Sequence, residues 1–239
     1  MPTLKENYDT WNNVWKLNGD EWSETWGGAD KQWSEAILPR IQRYIPAGTI
    51  LEIAPGHGRW TQFLTKQCLE LIVVDISETC IAACKERFKD LNQITYFVND
   101  GMSLNMIPDN SIDFVFSFDS LVHAEADVIK SYLTQLKNKL KSTGSGFIHH
   151  SNAGQYKFAE PDPNWRAASM SAEVFRKYAA DAGLVCTDQE LINWASSHLN
   201  DCFSIITNDQ TLQKTPCNIV ENPNFMKEAQ AIKEGKYDK

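Results

Sequence analysis

No stretch of eighteen apolar residues occurs in this sequence, so no membrane-spanning helix is expected. An excess of cations is missing as well. Asp and Glu number 31 against 23 Lys and Arg, for a net charge of −8. A nucleic-acid backbone selects a basic surface, so no nucleic-acid partner is expected. No Cys-x-x-Cys pair is present. The six cysteines, at 68, 80, 84, 186, 202 and 217, read as reduced thiols rather than metal ligands or disulfides. The opening Met1-Pro2-Thr3-Leu4-Lys5-Glu6 lacks the charged-then-apolar form of a secretory leader, and a cytoplasmic location is expected. Repeats and low-complexity linkers are also lacking. A single domain over 1–239 is therefore expected, with a helical cap over 1–45, a core over 49–208 and an extension over 209–239.

What is present is an α/β pattern. Apolar, non-alternating runs predict strands near 49–54, 69–75, 93–98, 112–118, 144–150, 184–194 and 201–207. Helices are expected near 59–67, 78–88, 125–141 and 171–182, with Ser77 and Ser171 as caps. The last two strands read as an antiparallel pair closing a mostly parallel sheet. Ahead of this core, five of eight tryptophans fall within the first 35 residues. Tyr8, Trp11 and Trp15 keep helical spacing and share one face. Gly27-Gly28 is a candidate hinge behind them, and a second helix is expected from Asp30 to Tyr44.

The first strand ends in Glu52-Ile53-Ala54-Pro55-Gly56-His57-Gly58. This is not the dinucleotide fingerprint G-x-G-x-x-G, although a small-residue strand-to-helix turn still lets a ligand approach exposed backbone N–H groups. The second strand ends in Asp75, a carboxylate able to accept two hydrogen bonds from a ribose diol. The third is followed by Asn99-Asp100-Gly101-Met102. Three consecutive strand ends thus carry groups suited to one adenosine-bearing ligand.

In these motifs the sequence resembles the class I S-adenosylmethionine-dependent methyltransferases, from about Thr49 to Asn208. The resemblance implies a Rossmann-like, seven-stranded sheet with an N-terminal helical lid, and S-adenosyl-L-methionine as cofactor. By it, Glu52, Ala54, Pro55, Gly56 and Gly58 approach the methionine part. Asp75 meets the ribose, and Asp100, Gly101 and Met102 the adenine, with Ile76 also in the cofactor set. Ser117 and Trp11 complete the cofactor set. The tryptophan-rich segment and His149-His150-Ser151-Asn152 are similar to a bacterial group associated with glycan and small-molecule biosynthesis.

Methyl transfer needs alignment and, for a hydroxyl acceptor, a base. His123 follows the fourth strand, and His149 and His150 end the fifth. Neighbouring strand residues point to opposite faces, so one of the latter two faces the cleft. His123 is taken as the first candidate base and His150 as the second, with Asp119 orienting an imidazole or the acceptor. Tyr156, Trp165 and Arg166 are candidate acceptor contacts in an irregular insert that also holds Pro161 and Pro163. Asp119, His123, Glu125 and His150 could supply oxygen and nitrogen to a divalent ion, but their spacing does not demand one, and no metal is assigned. The expected reaction is O-methylation of a small molecule, such as a sugar or glycan-precursor hydroxyl. N-methylation of a small amine or amino sugar is the alternative, and a non-catalytic cofactor-binding subunit is the reading from another class. A homodimer is left open.

Overall fold

The computed structural model describes residues 3–15, 19–156 and 165–237. Pro161 and Pro163 of the expected insert lie outside the described residues. Eight strands form one sheet: β1 (Ala47–Ile53), β2 (Cys68–Asp75), β3 (Ile94–Val98), β4 (Ile112–Ser117), β5 (Leu140–Ser151), β6 (Val185–Ile192), β7 (Asp201–Thr207) and β8 (Asn218–Asn222). Their spatial order is β3-β2-β1-β4-β5-β7-β6-β8. Seven of them match expectation within a few residues, and β8 is an eighth. It pairs parallel to β6 at the sheet edge, and β7 alone runs antiparallel to its neighbours.

The strands are apolar throughout because both faces are covered. Phe114, Phe116, Phe147 and Phe203 point into one layer, while Val115, Ile148 and Ile206 alternate into the other. The second layer is closed by the helices Ala126–Lys139 and Ala172–Asp181. Ser171 caps the latter by accepting from the Val174 N–H, as expected. The first layer is closed by the N-terminal region and by the helix Phe225–Glu234.

The expected helix Asp30–Tyr44 is shorter and irregular. It starts at Ala29 after Gly28, is π-wound over Gln32–Ile37, and finishes as Leu38–Ile41. Pro39 lacks an N–H and cannot continue the i to i−4 ladder, and the widened turns just before it absorb that mismatch. Only Leu4–Trp11 of the aromatic segment is a regular helix, held by a reciprocal Thr3–Glu6 capping box, and none of its residues is buried. Trp26, by contrast, is 1% exposed and sits against Trp194 and Phe225, at ring distances of 4.9 and 5.9 Å. The cap therefore has two parts: a peripheral helix, and a stretch around Trp26 that belongs to the core.

Candidate active site

In an open parallel sheet the loops beyond the strand C-termini are the only backbone free to shape a ligand site. Here they enclose a cavity of about 560 Å³. At its β1–β3 end lie Ala54, Pro55, Gly56, Asp75, Ile76 and Gly101. At its β4–β7 end lie Phe118, Asp119, His123, Trp165, Arg166 and Trp194, roofed by Trp11, Trp22 and Trp26. Seven of the eight tryptophans line the cavity, Trp33 being the exception.

The glycine loop is held tightly. The Ala54 N–H donates to the Val74 carbonyl at 2.7 Å, and Ser120 Oγ donates to the Ala54 carbonyl at 2.7 Å. Ala54 adopts φ +58°, a conformation that L residues rarely hold without such support. A Cβ on Gly56 would lie 2.1 Å from the Trp15 indole, so this glycine faces the cavity. Gly58 does not. A Cβ there would meet Phe88 at 2.5 Å, so its smallness serves the packing of the helix Glu78–Arg87.

Asp75 accepts from the Gly56 N–H at 3.1 Å and the Ser77 N–H at 2.8 Å. Burial pushes its carboxyl up to about 6, against the pull of those N–H groups. Beneath the loop, Glu52 accepts from Thr61 Oγ1 at 2.6 Å, while its Oε1 is buried without a partner among the described residues. Burial raises Glu52 to about 8. An ammonium group nearby would lower it again. Asp100 accepts from the Met102 and Ser103 N–H groups and shapes the turn that exposes Gly101; neither Asp100 nor Met102 lines the cavity. Ser117 is fully buried and donates to the Ile53 carbonyl, bracing β4 on β1 rather than reaching a ligand.

At the other end, His123 Nδ1 pairs with the Trp165 carbonyl at 2.9 Å. A carbonyl only accepts, so Nδ1 carries the proton and Nε2 keeps its lone pair. Burial, seconded by the Arg166 charge, holds this imidazole down to about 4. Asp119 pairs with Arg59 at 2.8 Å. Arg166 is paired with Asp201 at 2.7 Å. The choice of His150 as second base is corrected. Its ring stacks on Phe175 in the opposite layer, with its nitrogens bonded to the Ser151 carbonyl and Ser204 Oγ. His149 is the strand residue turned to the site side. Tyr156 also lies off the cavity, with its hydroxyl accepting from the Leu199 N–H. Glu125 turns to Ser169, so the four candidate metal ligands do not converge. The sequence reading missed Arg59, Trp194 and Asp201, and of the pair His149 and His150 it favoured the ring that faces away. Only Arg59, directly after Gly58, had a positional signal.

Residues 50–144 match the methyltransferase domain family. Over that segment the chain is similar to the S-adenosylmethionine-dependent methyltransferases. It is 29% identical over 134 residues to phosphoethanolamine N-methyltransferase 1 of Triticum aestivum, covering 54% of this chain and 27% of that protein. The chain thus spans about a quarter of the length of the curated relative it matches. Its fold is shared with an S-adenosylmethionine-dependent methyltransferase from Clostridium acetobutylicum, at 15% identity and a TM-score of 0.59 over 78% of this chain and 92% of the other. A candidate sarcosine dimethylglycine methyltransferase from Galdieria sulphuraria aligns at 14% identity and a TM-score of 0.56, over 75% and 85% of the two chains. The residues at the β1–β3 end fit S-adenosylmethionine: Gly56 carries no side chain on its cavity side, Asp75 offers a carboxylate for the diol, and Glu52, beneath the loop and off the cavity wall, keeps a buried oxygen with no partner among the described residues.

One pH dependence follows from Asp75. Its pKa is raised, so below about 6 it is protonated and must release that proton to accept from both ribose hydroxyls. S-adenosylmethionine affinity should therefore be level above about pH 6 and fall by about tenfold per unit below it. Calorimetry at about pH 5 and about pH 7.5 checks this, and equal affinities would remove Asp75 from the binding site.

Proposed function

We propose that this methyltransferase acts on the nitrogen of a small, unphosphorylated amine. The observation that carries the reading is the β4–β7 end of the cavity, where indoles line the wall beside a neutral imidazole and carboxylates outnumber guanidiniums. Glu21, Glu24 and Asp119 stand against Arg59 and Arg166 there. When bound, S-adenosylmethionine supplies a methyl group on a positively charged sulfur. Indole faces and carboxylates stabilise the positive charge that an amine gains on methylation, at about 0.5–2 kcal/mol per well-placed aromatic face. The same faces exclude water.

A hydroxyl acceptor asks for more. It needs a base whose pKa lies near the working pH, and His123 is held at about 4. These features favour N-methylation over the expected O-methylation of a sugar. The names of the wheat relative, a phosphoethanolamine N-methyltransferase, and of the Galdieria neighbour are in line with an amine. A phosphate on the acceptor does not suit this cavity, because Arg59 and Arg166 are already engaged with Asp119 and Asp201. One observation favours the hydroxyl reading: the Nε2 lone pair of His123, on a residue that lines the cavity.

S-adenosylhomocysteine release, measured across a panel of primary and secondary amines, sugars and simple alcohols, separates the two. Turnover is expected with amines, rising with pH as the amine loses its proton. His123→Ala is expected to keep amine turnover within about tenfold. Turnover of hydroxyl acceptors alone, with a loss of about 10²–10⁴ in His123→Ala, would restore the imidazole as general base and overturn the amine reading.

A further inference from the structure

Asp201, at the start of β7, is fully buried yet lines no part of the cavity. It is the meeting point of two hydrogen-bond arms that both end there. In the first arm, Asp201 Oδ2 accepts from His149 Nε2 at 3.0 Å. The Arg166 charge and the His149 bond hold this carboxyl below its usual range against burial, so it is ionised and only accepts. His149 Nε2 must then carry the proton, which leaves Nδ1 to accept the Asp119 N–H at 3.1 Å. Asp119 needs that anchor because its φ is +57°, in the left-handed region. With the backbone pinned there, its carboxylate meets Arg59 at the cavity wall.

In the second arm, Asp201 accepts from Arg166 through both oxygens, from Nε at 2.8 Å and a terminal nitrogen at 2.7 Å. Such a fork fixes the guanidinium in orientation as well as position. One peptide earlier, Trp165 has φ +56°, and its carbonyl accepts a hydrogen bond from the His123 Nδ1–H. One residue later, the Ala167 N–H donates to the Val122 carbonyl at 2.9 Å, tying the segment back to the His123 turn.

We infer that Asp201 is a positioning residue, which sets Asp119 through His149 and the tautomer of His123 through Arg166 and Trp165. Stability alone gives little reason for the arrangement. A buried ion pair repays its desolvation poorly compared with apolar side chains of similar volume, whereas it does fix geometry. The consequence for turnover rests on the amine-methyltransferase reading, but the network itself does not.

The test is a two-bond proton–nitrogen correlation spectrum of the full chain with ¹⁵N-labelled histidine, which reports the protonated nitrogen of each ring. The wild type should show His123 protonated on Nδ1 and His149 on Nε2. Asp201→Asn should convert His123 and His149 to mixed patterns, while His150, whose nitrogens meet Ser151 and Ser204, keeps its own. Two further variants separate the arms and decide the matter if Asp201→Asn does not fold. Arg166→Gln should alter His123 and leave His149 on Nε2, and His149→Leu should leave His123 on Nδ1. Unchanged His123 and His149 patterns in Asp201→Asn, or arm variants that disturb all three rings alike, would overturn the assignment. With an amine acceptor in hand, Asp201→Asn should lower kcat by about tenfold, through the displaced Asp119 carboxylate, while S-adenosylmethionine affinity stays within about twofold. If no amine is methylated, the acceptor reading fails while the spectrum still tests the network.

Discussion

Gly56→Val is expected to abolish S-adenosylmethionine binding, weakening it by more than about a hundredfold, or about 2.7 kcal/mol. Two effects combine at this residue. Its φ of +59° lies where a branched side chain is disfavoured by about 1–2 kcal/mol. Its missing Cβ opens onto the cavity, where the nearest atoms belong to Trp15 at 2.1 Å from the position a Cβ would take. A valine would thus fill the face that the cofactor backbone approaches. Trp15 belongs to the peripheral N-terminal segment and can give way, so the fold itself should survive. Gly58→Val makes the contrast. There a Cβ would strike Phe88 at 2.5 Å and Cys84 at 3.3 Å, both in the core. That variant should lose thermal stability before it loses any specific contact with a ligand. Calorimetry and melting curves on the pair check the argument, and near-normal affinity in a folded Gly56→Val protein would show that the loop is not the cradle.

The β1–β3 end of the cavity was legible in part, at Ala54–Gly56, Asp75, Ile76 and Gly101, because its signals are local. An apolar strand ending in Asp75, and a loop made of residues small enough for backbone approach, are properties of short segments. The acceptor half is assembled by pairing between distant strands, which sequence pattern does not carry. His149 and His150 show this. Both faces of β5 are buried, so no polar-apolar alternation marks which histidine turns to the site, and a shift of one residue exchanges them. Asp201 gave no signal because its partners lie 35 and 52 positions away in the chain. β8 was missed for a different reason. It is five residues long and mostly exposed, and pairing with β6 rather than any hydrophobic run defines it. The tryptophans of the N-terminal segment also looked equivalent. Composition does not separate the peripheral Trp11 and Trp15 from the buried Trp26, which packs on Trp194 and Phe225, and this sets where the segment can be cut.

Deleting residues 1–15 is expected to leave a folded protein whose affinity for S-adenosylmethionine drops by about 10–100-fold, or about 1.4–2.8 kcal/mol. The helix Leu4–Trp11 buries none of its residues, so the core loses little support when it goes. The cavity loses a wall. Leu4, Asn7, Trp11 and Trp15 all line it. Asn7 donates to the His123 carbonyl at 3.0 Å, Trp11 lies 5.2 Å from the His123 ring, and Trp15 stacks on His57 at 4.6 Å. Removing them lets water into the site, where it competes for Asp75 and weakens each electrostatic contact. A cut at Gly27-Gly28, the hinge expected from the sequence, should behave differently. It would also remove Trp26 and Ser23, both buried, the latter facing Arg59. The loss of a buried tryptophan alone costs about 3–5 kcal/mol, a large part of the stability of an ordinary domain. The shorter deletion should therefore melt close to the full chain while binding poorly, and the longer one should fail to fold. Should the 1–15 deletion retain full affinity, the aromatic segment is surface packing and the cofactor is held by the strand ends alone.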